Sequence, residues 1–160
     1  LLEGCPIVPR LPAPPAPAIP ETLLVVARAF AERLDAERVA DAIADGLRDG
    51  GWQADTCPID DDEQSAATLA LVRSPQFDAR MRAARAVVIA EPRLREQTLA
   101  GTTAFEVATR ARQAGVPAYA VTAENLLDSF DARILDLQTI VRARTHRSLR
   151  GAGRKLAGLV

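Results

Sequence analysis

The feature that most constrains this chain is the uninterrupted apolar run Ala86-Val87-Val88-Ile89-Ala90. A five-residue run of this kind, rich in β-branched residues, suits a strand buried on both faces of a parallel sheet. Parallel strands need long crossovers, so helices are expected on either side of it. The rest of the sequence supplies them. Thr22 to Ala27 reads as a first strand, and Asp35 caps a helix in which Val39, Ile43 and Leu47 recur at helical spacing until Gly50 and Gly51 stop it. Gln53 to Ile59 reads as a second strand, followed by an acidic turn and a helix from about Gln64 to Arg73 that Ser74 and Pro75 break. A short helical piece from Phe77 to Ala83 leads into the apolar run. A polar loop is expected from Glu91 to Gly101, then a helix from Thr103 to Ala114, a stop at Gly115 and a strand from Val116 to Thr122. Asp131 is expected to cap a helix carrying Ile134, Leu137 and Val141, and Thr145 a last one carrying Leu149, Ala152 and Leu156. The expected fold is α/β: a Rossmann-like, three-layer α/β/α sandwich on a small, mainly parallel sheet of about four strands.

Two segments are read from composition. Leu1 to Pro20 concentrates the prolines without an apolar period and reads as an extended arm or linker, leaving 21–160 as a single domain. Leu1 in place of methionine is compatible with a fragment or a processed chain. The net charge of −1 demands no polyanionic partner, so nucleic acid is not expected. From Arg142 onward there are nonetheless six basic residues and no acidic one, which reads first as a solvated helix face. No apolar run approaches the roughly 20 residues that span a bilayer, so no membrane segment is expected and a cytoplasmic location is. Cys5, Cys57 and the single His146 lack metal-ligand spacing. Cys57 is expected as a small core residue, His146 as a surface residue, and no structural metal is expected.

In an open parallel sheet ligands collect at the carboxyl ends of the strands. The loops there carry a resemblance. Val87 to Thr102 reads V-V-I-A-E-P-R-L-R-E-Q-T-L-A-G-T, similar to V-V-T-G-E-G-R-L-D-E-Q-T-L-A-G-K of the bacterial two-domain glycerate kinase family, with Glu91, Arg93, Leu94, Gln97, Thr98 and Gly101 matching position by position. The family's P-D-S-F-K-G-S-L-S-A corresponds to Ala27 to Ala36, where Phe30, Leu34 and Ala36 remain. Its A-D-G-G-E-G-T corresponds to Asp60 to Ala66, where only Asp61 is kept. The resemblance implies an ancestor that moved the γ-phosphoryl of ATP to glycerate with Mg²⁺. The departures fall on chemistry: the family's glycines become Ala90 and Pro92, its lysines Ala31 and Thr102, and its aspartates Arg28 and Arg95. Glycines let backbone N–H groups approach phosphate, and proline removes such a donor. Phosphoryl transfer rests on positioned cations and carboxylates, so these changes remove or invert what it needs. The family's inserted second domain is also missing between Asp60–Glu63 and Ala86.

The expectation is therefore a degenerate glycerate-kinase-like domain without phosphoryl transfer, without ATP or Mg²⁺ as cofactor, and retained for interaction, assembly or regulation. A residual ligand site would comprise Asp61, Glu91, Arg93, Gln97, Thr98 and Gly101, with no catalytic residues and no metal ligands. In the bland reading Arg93 pairs with Glu91 or Glu96. The competing readings are a glycerate kinase completed in trans by a partner carrying the missing domain, and a sensor of a small anion or organic acid. A protein partner or homo-oligomer is expected, on the reasoning that loss of the facing domain uncovers Phe30, Leu34, Leu94 and Leu99. Folding of the loops over the sheet would bury the same side chains without a partner.

Overall fold

The computed structural model describes residues 12–16, 20–59, 65–95 and 102–160. Among them, five parallel strands and six helices alternate: β1 (Thr22–Arg28), α1 (Ala36–Asp49), β2 (Gln53–Ile59), α2 (Ala66–Val72), α3 (Pro75–Ala83), β3 (Ala86–Leu94), α4 (Thr103–Ala114), β4 (Ala118–Asn125), α5 (Ser129–Leu135), β5 (Leu137–Arg142) and α6 (His146–Ala157). The strand order is β2-β1-β3-β4-β5. Alternate residues of each strand feed opposite faces. Leu23, Val25 and Ala27 of β1 join Val88 and Ala90 of β3 in one core, against Ile43 of α1 and Leu149 of α6. Leu24, Val26, Val87 and Ile89 join the other, against Phe77 and Met81 of α3 and Val107 of α4. This is the expected three-layer sandwich, with one strand more than expected.

Local chemistry sets the helix ends. The side chains of Asp35, Ser65, Ser74, Thr102, Asp128 and Thr145 each accept a backbone N–H at the start of the helix that follows, and Pro75 opens α3, where a missing N–H costs nothing. Gly115 ends α4 at φ 69°, in the left-handed region where a Cβ is disfavoured.

Three expectations are corrected. The helix expected through Ile134, Leu137 and Val141 is instead the short α5 followed by the edge strand β5. Asp128, not Asp131, caps α5, and Asp136 ends it in the left-handed conformation at φ 52°. Leu137 pairs with Ala118 and Ile140 with Ala120, so β5 holds one extra residue there. That bulge gives Leu137, Ile140 and Val141 a spacing that imitates a helix. Second, β3 runs on past Ala90 to Leu94, so Glu91 and Arg93 are strand residues and not loop residues. Third, of the apolar residues expected to be uncovered at the strand ends, Phe30 and Leu34 are partly covered by the chain itself. The Phe30 N–H donates to the Leu34 carbonyl at 2.8 Å, and this tight turn lays both side chains against the core. Leu94 is buried, and Leu99 lies outside the described residues. Large exposed apolar side chains occur at Leu126, Phe130 and Ile134 around α5, and at Leu71 and Leu159.

One helix pair is packed at backbone distance. A Cβ on Gly46 of α1 would run into the Arg150 carbonyl, and one on Gly153 of α6 into the Ile43 carbonyl. The two glycines let the helices touch, and polar contacts fix their register. Asp49 accepts from Arg150 Nε at 2.8 Å and Arg154 Nε at 2.9 Å, while the Trp52 indole N–H donates to the Ala157 carbonyl at 3.0 Å.

Candidate strand-end site

Because β2 lies on one side of β1 and β3 on the other, the strand order, though not the strand direction, reverses between β1 and β3. The carboxyl ends of these two strands border the crevice where α/β sheets of this kind hold ligands. Register determines what stands there. Ala27 pairs with Ala90, so the next residues, Arg28 and Glu91, are neighbours across the switch point; Glu91 pairs in turn with Thr122, and Thr122 with Arg142. A polar row thus crosses the end of an otherwise apolar sheet.

Its centre is an ion pair. Arg28 Nη1 donates to Glu91 Oε1 at 2.6 Å, with the two side chains only 18% and 3% exposed. A carboxylate this deeply buried is strongly disfavoured without a cation or hydrogen bonds. Arg28, which stands at the family's aspartate position, supplies the cation. Beside the pair, buried Thr122 donates from Oγ1 to the Glu124 carbonyl at 3.0 Å and accepts the Glu124 N–H at 3.3 Å, tying the end of β4 into a small turn. The Thr122 hydroxyl also lies 3.3 Å from the Pro92 carbonyl. Arg93 Nε meets Glu124 Oε2 at 3.3 Å in an exposed pair.

The substituted positions have acquired structural duties. Ala90 is buried within the sheet, between Ala27 and Val121. Thr102, at a lysine position of the family, is buried and caps α4 by accepting the Phe105 N–H. Ala31, at the other lysine position, forms a β-bridge with Leu34 in the turn that folds Phe30 inward. Between β2 and β3 the described chain consists of α2 and α3, where the resembling family inserts a domain.

Of the sequence-derived site residues, Glu91 and Arg93 stand at the end of β3, one buried in the pair and the other exposed. Asp61, Gln97, Thr98 and Gly101 lie outside the described residues, as does the acidic turn of Asp60 to Glu63. Arg28, Thr122 and Glu124 were not singled out as site residues in the sequence. For Arg28 the available signal was the charge inversion opposite a retained glutamate; for Thr122 it was a polar residue directly ending an apolar strand. Cys57 is buried in β2, and burial pushes its thiol up while Arg80 nearby acts against the shift. That is the behaviour of a core residue. No helix among the described residues is long and apolar enough to cross a membrane.

Comparison with known proteins agrees with this geometry. No curated protein matches the sequence. Among solved structures, a flavodoxin from the domain Archaea superposes with a TM-score of 0.50 at 10% identity, covering 86% of this chain and 97% of that one. An oxidoreductase from Corynebacterium diphtheriae superposes with a TM-score of 0.50 at 11% identity, covering 89% and 98%. At such identities these likenesses establish the Rossmann-like, flavodoxin-like fold alone. The model of the glycerate kinase family matches residues 63–149, from the second strand-end loop into α6. That match spans more than half of the chain and includes the β3 end that carries Glu91 and Arg93, so this chain belongs to the glycerate kinase family.

Proposed function

We propose that this chain is a glycerate-kinase-family domain that no longer transfers phosphoryl groups and serves in interaction, assembly or regulation. The observation that carries this reading is the buried Arg28–Glu91 pair at the β1/β3 switch point. A phosphoryl-transfer site needs cations facing the transferred group and carboxylates facing metal or hydroxyl. Here the retained carboxylate is neutralised by a guanidinium from the neighbouring strand, and both are withdrawn from solvent. The backbone positions at which glycines would admit phosphate oxygens are a buried strand residue, Ala90, and a proline without an N–H, Pro92. The direct connection through α2 and α3 supports the same reading, since a facing domain is what excludes water during transfer.

Calorimetric titration of the full chain with Mg²⁺-ATP, in the presence and absence of glycerate, tests this. Affinity no tighter than about millimolar is expected. Saturable nucleotide binding in the micromolar range, weakened by Glu91→Gln in a variant that melts cooperatively, would overturn it.

A further inference from the structure

A cleft of about 350 Å³ opens at the carboxyl end of the sheet beside the closed switch point. Phe30, Pro92 and Ala123 give it an apolar side; Arg93, Glu124 and Arg144 give it a charged one. The two arginines differ. Arg93 Nε is engaged with Glu124 at 3.3 Å. Arg144 is anchored at its base, where its backbone N–H donates to Ser148 Oγ at 2.9 Å and its Nε to the Ala123 carbonyl at 3.1 Å. No carboxylate among the described residues forms an ion pair with it, nor with exposed Arg142 and Arg147 beside it. Arg150 and Arg154, further along α6, are committed to Asp49. Among the described residues, positive charge without a carboxylate partner therefore collects at the junction of β5 and α6, with one member held against a cleft that Phe30, Pro92 and Ala123 line on one side.

We propose that this cleft binds a small organic monoanion, a carboxylate carried on a flat apolar body, with the carboxylate on Arg144 and the body against Phe30. An anchored guanidinium presents its terminal N–H groups in a fork that suits a carboxylate, and anchoring reduces the rotamer freedom lost on binding. The volume lies at the small end of the range for small-molecule sites. Glu124 on the charged side disfavours a second negative charge, so a monoanion is preferred over inorganic phosphate. Phe30, Pro92 and Ala123 offer little to a polyhydroxylated acid, so glycerate is disfavoured against an aromatic carboxylate. This site is independent of whether phosphoryl transfer occurs, and its test contains no nucleotide.

The test is a heteronuclear NMR titration of the full chain with benzoate, acetate, glycerate and inorganic phosphate, each at constant ionic strength. Benzoate is expected to produce saturable shifts at the Ala123 and Arg144 amides, with affinity about tenfold or more above acetate, glycerate and phosphate. Arg144→Gln is expected to lower benzoate affinity about tenfold, and Arg147→Gln less than about twofold, with the remaining spectrum unchanged. Three results overturn the proposal: no saturable benzoate shift, phosphate or glycerate binding as tightly as benzoate, or equal losses in the two arginine variants, which would mark diffuse attraction to a basic surface.

Discussion

The α1/α6 contact and the β1/β3 strand ends are built from the same fold by opposite means. Between α1 and α6 the specificity is steric: Gly46 and Gly153 bring backbone against backbone, and hardly any other residue fits. At the strand ends it is electrostatic: a guanidinium N–H of Arg28 donates to the buried Glu91 carboxylate. Packing of the first kind tolerates little change without loss of the fold. Charges of the second kind are exchangeable as long as burial is compensated. The family's architecture persists here in the helices and strands, while the switch point holds a buried ion pair where the resembling family has an aspartate and a glutamate.

The largest effect is expected where backbone meets backbone. Gly153→Val should cost about 3 kcal/mol or more, because the obstructing atom is the Ile43 carbonyl and cannot rotate away. Thermal unfolding should show a drop of about 6 °C or more. A melting temperature within a degree of the parent would break the steric half of the comparison.

Next in size is the buried pair. Arg28→Met and Glu91→Leu should each cost roughly 2–4 kcal/mol, because each removes a charge-assisted hydrogen bond of 2.6 Å from a site with little solvent. The double replacement Arg28→Met with Glu91→Leu should cost far less than the sum, since neither charge is then left behind. Urea unfolding of all three variants gives the coupling, and simple additivity would mean that the two groups do not stabilise each other.

A smaller effect, of opposite sign, sharpens the steric argument. Gly151 lies in α6 like Gly153, yet a Cβ there meets nothing within 4 Å. Gly151→Ala should therefore stabilise by about 0.5–1 kcal/mol through helix propensity alone. Destabilisation would show that α6 is sensitive to any added side chain and not to close approach.

The smallest effect concerns acid. Hydrogen bonds from Arg150 and Arg154 hold the Asp49 carboxyl well below the usual carboxylate range, and Arg73 lowers that of Glu106. Folded-state values below the unfolded ones contribute stability that is complete above the unfolded carboxylate pKa of about 4 and is lost as pH falls toward the folded values. Stability should thus decline below about pH 4, by a modest amount because both pairs sit in solvent and are screened by salt. Asp49→Asn should flatten part of that decline in a pH series of urea midpoints; an unchanged slope would remove Asp49 from the α1/α6 contact.

How much was legible in the sequence follows the same division. Asp35, Gly115 and Thr145 were readable as helix boundaries because capping is decided within a few residues. Gln53 to Ile59 and Thr103 to Ala114 were readable as strand and helix because their patterns are local and regular. β5 was misread because a bulge put Leu137, Ile140 and Val141 at helix-like spacing. The Arg28–Glu91 pair was out of reach because it joins residues far apart in sequence and depends on β3 lying beside β1, a fact of strand order. The inversion of charge at Arg28 was visible in the sequence; its pairing with Glu91 needed the register. Likewise the turn that lays Phe30 and Leu34 against the core was not deducible from a loop whose sequence lacks glycine and proline.

The most direct test of the central claim is a coupled assay of ATP-dependent glycerate phosphorylation with the purified full chain and Mg²⁺. No turnover above the enzyme-free background is expected. Turnover above background that is abolished by Glu91→Gln, in a variant shown by circular dichroism to remain folded, would contradict it and return Glu91 to a catalytic role.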